Sequence, residues 1–346
     1  MKNKILHVME ADDKFTIPLM KYLLTDLKLE NHRFLVIGKK NETGFKSSFV
    51  ARIKIPNRFY FFSNLFTFIR EVYKADVIIA HAAPLAYFFL LLPNKINKVI
   101  WVIHGGIDIP LSNKSKKLTE YLDLLFKRKI KSHTTHIQED SDIVNRTLGI
   151  NADFIYSPGY LSNTFTNIKD GSEFVYKKGF SNKNILLGNS TDPHNNHIEA
   201  LEIVEKACIE AEMITSILSY GVYESYKENV ISVGEKMFGQ KFNPVSKFMP
   251  LSDYLKLLNS IDYAVFNHKR QEAMGVTIQL LSLAKPIFFN PQSPAYQSLI
   301  RRGYVVFNIY ELEKFKDIKS VDLRKNRELL LKEYSLEVLN SFYTNL

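Results

Sequence analysis

Short apolar runs alternate with helix-period patterns along the chain, and that alternation predicts a doubly wound α/β architecture. In the first half the runs predict strands at 4–9, 33–37, 76–80, 98–103 and 132–137, with helices at 17–27, 65–73 and 117–129 between them. Several of these strands run into a turn or polar residue: Glu10, Gly38, His81 and His104. Ligands of open parallel sheets bind at such carboxyl ends. Residues 163–182 mix Gly, Ser, Asn and Lys without periodicity and read as linker or edge structure. A second series follows, with strands predicted at 184–187, 213–219, 246–248, 262–266, 286–289 and 304–306. Its helices are predicted at 196–212, 224–238, 251–260 and 276–284. A last amphipathic helix over 326–343 presents Leu329, Leu330, Tyr334, Leu336 and Leu339 for packing back onto a domain. The expected division is a domain over 1–160, a linker over 161–180, a domain over 181–325 and a closing helix over 326–346.

The length of 346 residues agrees with two domains, and 46% apolar against 24% charged residues supplies two cores. The longest apolar run, Leu85 to Leu92, is eight residues, far short of the roughly 20 that cross a bilayer. The opening residues carry lysines but pass straight into an apolar stretch and then acid, so no signal peptide is expected. A single cysteine, Cys208, excludes a disulfide framework and a cysteine-built zinc site. The net charge of +10 is uneven. Residues 1–160 hold 24 Lys+Arg against 15 Asp+Glu, and residues 161–346 hold 22 against 21. A basic first half points to an anionic partner: nucleic acid or an acidic membrane surface.

Two loops of the second half concentrate polar residues where a ligand would lie. Ile185-Leu-Leu-Gly-Asn-Ser-Thr-Asp-Pro-His-Asn-Asn-His197 runs from an apolar strand through Gly188, Asn189 and Ser190 into a helix. Glycine lets a ligand approach the backbone, and the helix start suits an anion. An ordinary strand–loop–helix cap fits the same letters. His268-Lys-Arg-Gln-Glu-Ala-Met-Gly-Val-Thr277 sets two cations and a carboxylate just before another helix, which fits a diphosphate. In the first half His104-Gly-Gly-Ile-Asp108 follows an apolar strand, and Glu10, Asp12 and Asp13 follow the first strand. Asp108, then His104 and Asp12, are the candidates for taking a proton from a hydroxyl. Asp140-Ser-Asp142 has the form of a metal–nucleotide motif, but acids in the first turn of a helix account for it better. His133 and His136, three apart on a predicted strand, fall on opposite faces. No metal site is expected.

Glu272-Ala-Met-Gly275 followed by Lys285-Pro-Ile-Phe288 resembles the donor-site pattern of GT-B glycosyltransferases, which have two Rossmann-like doubly wound domains facing a cleft. That pattern has a second acidic residue at the ribose. Counting on from Glu272 gives Leu280 here, and counting back from Pro286 gives Gln279, the weaker stand-in chosen. The chain further resembles the family 56 enzymes that transfer 4-acetamido-4,6-dideoxygalactose from its TDP carrier in building enterobacterial common antigen. The shared stretches are Ile185–Leu201, Tyr254–Asp262 and Arg270-Gln271 on to Pro286, with Trp101–Gly105 and Leu6-His7-Val8 matching more loosely. The resemblance implies a TDP- or UDP-sugar donor, an undecaprenyl-diphosphate-linked acceptor, and transfer without metal or other cofactor. It puts the donor on the second domain and the acceptor on the first. Gly188, Asn189 and Ser190 would face the diphosphate or the reacting sugar, and Tyr220 and Gly221 the base or phosphates. Arg270, Gln271, Gly275, Val276 and Thr277 would hold the diphosphate.

A lipid-linked acceptor gives the basic half a reading. Lys114–Lys131 sets Leu118, Tyr121, Leu122, Leu125 and Phe126 on one helical face between basic ends, and Arg58–Arg70 packs aromatics between two arginines. Both resemble interfacial membrane segments, although each apolar face alone reads equally as core. The expected location is peripheral, at the cytoplasmic face of the inner membrane. A sugar-nucleotide epimerase or hydrolase of the same fold would need no basic domain. A nucleic-acid-binding protein would interleave aromatics singly with Arg and Lys, which this chain does not do, so no nucleic acid is expected.

Overall fold

The computed structural model describes residues 2–11, 15–38, 48–54, 61–105, 117–165, 184–207, 210–318 and 320–346. The chain forms two compact units, Met1–Thr164 with Leu336–Leu346, and Phe165–Ser335. The first unit is built on seven parallel strands: β1 (Ile5–Glu10), β2 (His32–Gly38), β3 (Val50–Lys54), β4 (Val77–His81), β5 (Val99–Val102), β6 (Ser132–Thr135) and β7 (Asp153–Tyr156). Their order across the sheet is β3-β2-β1-β4-β5-β6-β7. The second unit has six parallel strands: β8 (Asn184–Leu187), β9 (Met213–Ile217), β10 (Phe242–Val245), β11 (Tyr263–Phe266), β12 (Ile287–Phe289) and β13 (Phe307–Asn308). Their order is β10-β9-β8-β11-β12-β13. Both sheets reverse winding direction beside their first strand, at β1/β4 and β8/β11, the doubly wound arrangement the alternating pattern predicts.

Central strands of such sheets are covered on both faces, so they read as unbroken apolar runs. Every residue of β11 and β12 is buried, as is all of β1 except Glu10. In the first unit Leu6 and Val8 point into one core with Trp101, Phe68, Phe89 and Phe126. Ile5 and Met9 point into the other with Phe34, Met20, Leu339 and Tyr343. The second unit buries Ile185, Leu187, Leu201, Ile214, Tyr263 and Phe288 together.

The differences from the sequence expectation fall at edges and in polar helices. The strand expected at 246–248 is instead β10, which contains Pro244 and, among the described residues, pairs only with β9. An edge strand tolerates proline because one side of its backbone makes no ladder. The strand expected at 304–306 is β13, two residues long at the opposite edge. β3 and β7, also edges, were not expected at all. The helix Gln138–Leu148 has a mostly polar sequence and buries only Asp140, Ser141, Val144 and Leu148. The single helix expected over 326–343 is two, Ser320–Glu333 and Leu336–Thr344. They part at Tyr334 and Ser335, where the Phe165 amide donates to the Tyr334 carbonyl at 2.7 Å. The first helix stays with the second unit, and the second completes the core of the first.

Leu339 is fully buried in that core. Leu339→Ala is expected to cost about 2–4 kcal/mol, read as a lower midpoint in denaturant unfolding. A loss well under about 1 kcal/mol would mean that the closing helix contributes little to the unit.

Candidate functional site

At the β8/β11 switch point the two neighbouring strands send their following helices to opposite faces, which opens a crevice above their carboxyl ends. Residues from the loops after β8, β9 and β11 meet there. Gly188 ends β8 with φ +70°, and its amide donates to the Val265 carbonyl at 3.1 Å. A Cβ on Gly188 would lie 2.2 Å from His197 Nε2, so the site itself demands glycine. Gly221, at φ +114°, is equally constrained: a Cβ there would meet Thr191 Oγ1 at 2.1 Å. The Thr191 amide donates to the Tyr220 carbonyl at 2.9 Å, and Asn189 Nδ2 donates to the Tyr220 hydroxyl at 2.5 Å. The loops after β8 and β9 are thereby closed onto each other.

Arg270 joins the loop after β11 to the same place. Its guanidinium pairs with Asp192 Oδ2 at 2.7 Å and, through Nε, with Glu272 Oε1. Asn195 braces the other side. Its Nδ2 donates to Glu272 Oε2 at 3.0 Å and Ser190 Oγ at 3.1 Å, while its Oδ1 accepts from the Asn189 amide at 3.0 Å. Burial would raise the Asp192 carboxyl, but the amide and ring of His194 and the Arg270 guanidinium hold it below its ordinary value. Burial prevails at Glu272 and raises it despite Arg270.

The helix Met274–Ser282 begins directly after this loop, from Ala273 at φ +60°, with no side chain capping its first amides. Such amides suit an anion. Around these loops His197 Nε2, Asn267 Nδ2, His268 Nε2 and Thr277 Oγ1 are buried with no hydrogen-bond partner. Leaving such groups unpaired costs about 1–3 kcal/mol each. Burial keeps both histidines neutral, with pKa values drawn down to about 4.

A family model described as "4-alpha-L-fucosyltransferase glycosyl transferase group 56" matches residues 15–331, most of the chain. The chain belongs to glycosyltransferase family 56. Solved structures of similar shape include a glycosyltransferase from Rickettsia africae, at 14% identity and TM-score 0.67, covering 99% of this chain and 97% of that one. Anabaena HepE in complex with UDP and glucose follows at 10% identity and TM-score 0.69, with 99% of each chain covered. The N-terminal domain of a Candida albicans trehalose-6-phosphate phosphatase aligns at 11% identity and TM-score 0.70, covering 100% of this chain and 96% of that one. These likenesses identify the fold as GT-B.

In this glycosyltransferase, Gly188, Asn189, Ser190, Tyr220, Gly221, Arg270 and Glu272 come together as described. Gln271 and Val276 are buried beside them, and Gly275 lies in the first turn of the helix. Of the two ribose candidates Leu280 is fully buried, and Gln279 is half-buried one turn further along the helix. Asp192 and Asn195, the hub of the cluster, were not among the site residues predicted from sequence. Their signal was the density of Asp and Asn between Gly188 and His197, which also describes an ordinary cap. Asp108 and Asp12 lie outside the described residues, whereas His104 is half-buried after β5 with its Nε2 bonded to the Tyr160 hydroxyl.

Asp192, His194 and Glu272 bring three ligand atoms within 4.8 Å of one another. Arg270 already supplies the positive charge at two of them, so a metal ion would have to displace it. Asp140 and Asp142 do not act together: Asp142 is exposed, and Asp140 is sealed in the core, where burial pushes its carboxyl up to about 8. His133 and His136 are each held separately, by Ser141 Oγ at 2.6 Å and Asn163 Nδ2 at 3.1 Å.

Gly149 has nearly the same backbone as Gly188, φ +67°, but nothing lies within 4 Å of an added Cβ. Gly149→Ala is therefore expected to cost about 1–2 kcal/mol of backbone strain. Gly188→Ala should cost roughly 1–3 kcal/mol more from the collision with His197. Paired unfolding curves test the difference; equal losses would mean that His197 moves aside freely.

Proposed function

We propose that this glycosyltransferase moves a deoxy-amino sugar, 4-acetamido-4,6-dideoxygalactose or a close relative, from a TDP or UDP carrier to a saccharide on undecaprenyl diphosphate. The observation that carries the donor half is the convergence of three loops and an uncapped helix start above β8 and β11. It puts close-approach glycines, amide donors and Arg270 around one point, the equipment for a diphosphate. Anabaena HepE, similar in fold, was solved with UDP and glucose. On this reading Gly188, Asn189, Ser190 and residues Gly275 to Thr277 receive the diphosphate and the reacting sugar. Tyr220 and Gly221 lie toward the base, and Gln279 toward the ribose. Arg270 offsets charge as the nucleotide leaves, where the transition state needs it. His104, with Asp108 and Asp12, serves the acceptor side.

The first unit supplies a surface suited to a lipid-linked acceptor. Phe66 and Tyr73, seven apart on the helix Phe61–Lys74, are 66% and 71% exposed. Leu118 and Tyr121 are exposed at the start of the helix Leu118–Lys127, and Leu91 is 58% exposed. Phe126, expected on the same apolar face, belongs to the core instead. Apolar anchors on a basic unit favour peripheral contact with an acidic bilayer at the cytoplasmic face of the inner membrane. No helix among the described residues is long and apolar enough to cross it.

The deciding measurement is thermal stabilisation by TDP, UDP, GDP and ADP, each without and with divalent metal. A ligand at 100 times its Kd stabilises by about 2.7 kcal/mol. TDP or UDP is expected to raise the melting temperature without metal. A shift that needs manganese would implicate Asp192, His194 and Glu272 as ligands, and no shift with any nucleotide would sink the donor assignment. Arg270→Ala is expected to lose most of the turnover and weaken TDP binding. Near-normal rates in that variant would remove Arg270 from the diphosphate.

A further inference from the structure

Asp192-Pro193-His194 follows the Gly-Asn-Ser-Thr stretch in the loop after β8. Asp192 caps a single 3₁₀ turn, Pro193–Asn195, and Pro193 stands in that turn's start, where its missing amide leaves nothing unpaired. The cap brings the His194 ring back beside the capping carboxylate. Asp192 Oδ1 accepts from the His194 amide at 2.9 Å and lies 2.8 Å from His194 Nδ1. The other oxygen, Oδ2, accepts from Arg270 at 2.7 Å. Both oxygens are thereby held, one by the loop after β8 and one by the loop after β11. The His194 side chain is 47% exposed, and among the described residues its Nε2 makes no hydrogen bond.

Burial acts to raise the Asp192 carboxyl, but the His194 amide and ring and the Arg270 guanidinium outweigh it and keep the group ionised. An ionised carboxylate only accepts, so His194 Nδ1 carries a hydrogen whether the ring is neutral or charged. Only Nε2 varies: it is a lone pair in the neutral ring and an N–H in the imidazolium. The neighbouring charges favour a further cation here. Asp192 and Glu272 set two negative charges against the one of Arg270, which is divided between them. The diphosphate of a sugar nucleotide adds two more, while a helix start offers only about half a positive charge. Histidine is the side chain suited to gaining charge near neutral pH. The other rings facing the cluster do not compete. Burial raises Tyr220 to about 12 and raises Tyr226 as well, and it draws His197 and His268 down to about 4. Lys269, next to Arg270 in sequence, is exposed and makes no ion pair among the described residues. Glu272, raised by burial, is the other group that can take up a proton.

We infer that His194 is a donor-binding residue: Asp192 orients its ring, and Nε2 takes up a proton from water and donates a hydrogen bond to the diphosphate of the incoming sugar nucleotide. The inference rests on the donor reading of these loops and adds to it that binding consumes a proton. Asp192 stabilises the imidazolium from one side and the diphosphate from the other, so the ring gains its charge when the ligand arrives. The two carboxylates then face two cations instead of one, and Arg270 need not leave either of them. The sign follows directly. Raising the pH removes the proton that binding needs, so affinity falls as pH rises through neutrality. The same contact lies on the diphosphate as the nucleotide departs and its negative charge grows.

The test is calorimetric titration of the whole protein with TDP-linked 4-acetamido-4,6-dideoxygalactose and with TDP-glucose. Free TDP is avoided because its terminal phosphate titrates near neutrality by itself. Repeating each titration at one pH in two buffers of different ionisation heat counts the protons exchanged. Uptake of roughly half to one proton per ligand is expected near neutral pH, with affinity falling roughly three- to tenfold per pH unit above it. His194→Gln removes the charge at an exposed position. It should weaken binding about tenfold below neutral pH and abolish both the uptake and the pH dependence. Glu272→Gln should keep the uptake. Uptake that survives in His194→Gln, or vanishes in Glu272→Gln, would overturn the inference. A second readout needs no substitution at the site. With ¹⁵N in the histidine rings, His194 should go to the doubly protonated form when the sugar nucleotide is added, and an Nε2 that stays unprotonated would also overturn it. Failure of the unsubstituted protein to bind either sugar nucleotide would overturn the donor reading along with this inference, whereas binding without proton uptake overturns this inference alone.

Discussion

Arg270 ties together the two loops on which, on the proposed reading, the second unit's chemistry depends. Its guanidinium bonds Asp192, in the loop after β8, and Glu272, in its own loop after β11. Asn195 then carries the connection from Glu272 to Ser190 and the Asn189 amide. Without that cation two carboxylates would face each other across the crevice, and the Gly-Asn-Ser turn would lose its brace. The cost is that one positive charge answers two negative ones. A diphosphate would compete with Asp192 and Glu272 for the same guanidinium, so on the proposed reading the amides at the start of Met274–Ser282 carry much of the binding. The carboxylates, poor neighbours for phosphate, suit the hydroxyls of a sugar.

The two carboxylates are also set apart electrically. Asp192 is held below its ordinary value by donors from His194 and Arg270, while burial raises Glu272. As pH falls, Glu272 therefore takes up its proton first, and Asp192 keeps its pair with Arg270 to lower pH. A pair of acids pushed in opposite directions is a common device for giving two similar groups separate tasks.

Most of this fold is legible in the sequence wherever burial dictates composition. The strand 184–187 and the helices 224–238 and 251–260 have the expected bounds, the strand as an unbroken apolar run and the helices as amphipathic patterns. The edges are not legible, since β3, β7, β10 and β13 are covered less completely and admit residues such as Pro244. In the site, glycine and charge drew attention to Gly188, Gly221, Arg270 and Glu272, which converge. Asp192 and Asn195 escaped because a capping Asp or Asn looks the same as one that organises a site. The buried hydrogen-bonded row His32–His7–His81–Tyr160 escaped for a stronger reason. His7, His32, His81 and Tyr160 are far apart in sequence, and a histidine inside a strand has no pattern of its own until the sheet register aligns it.

The two units share a winding rule, and both bury polar atoms that have no hydrogen-bond partner among the described residues: those of His197, Asn267, His268 and Thr277 in the second, and of Trp101, His133, Thr134 and Asp140 in the first. Fold similarity alone says little about chemistry here. The N-terminal domain of a trehalose-6-phosphate phosphatase superimposes on this chain as well as a glycosyltransferase does. What distinguishes family members must lie in the loops that the common sheets carry. On the proposed reading those loops are 188–196, 220–223 and 267–273 in this chain, with His104 on the other unit.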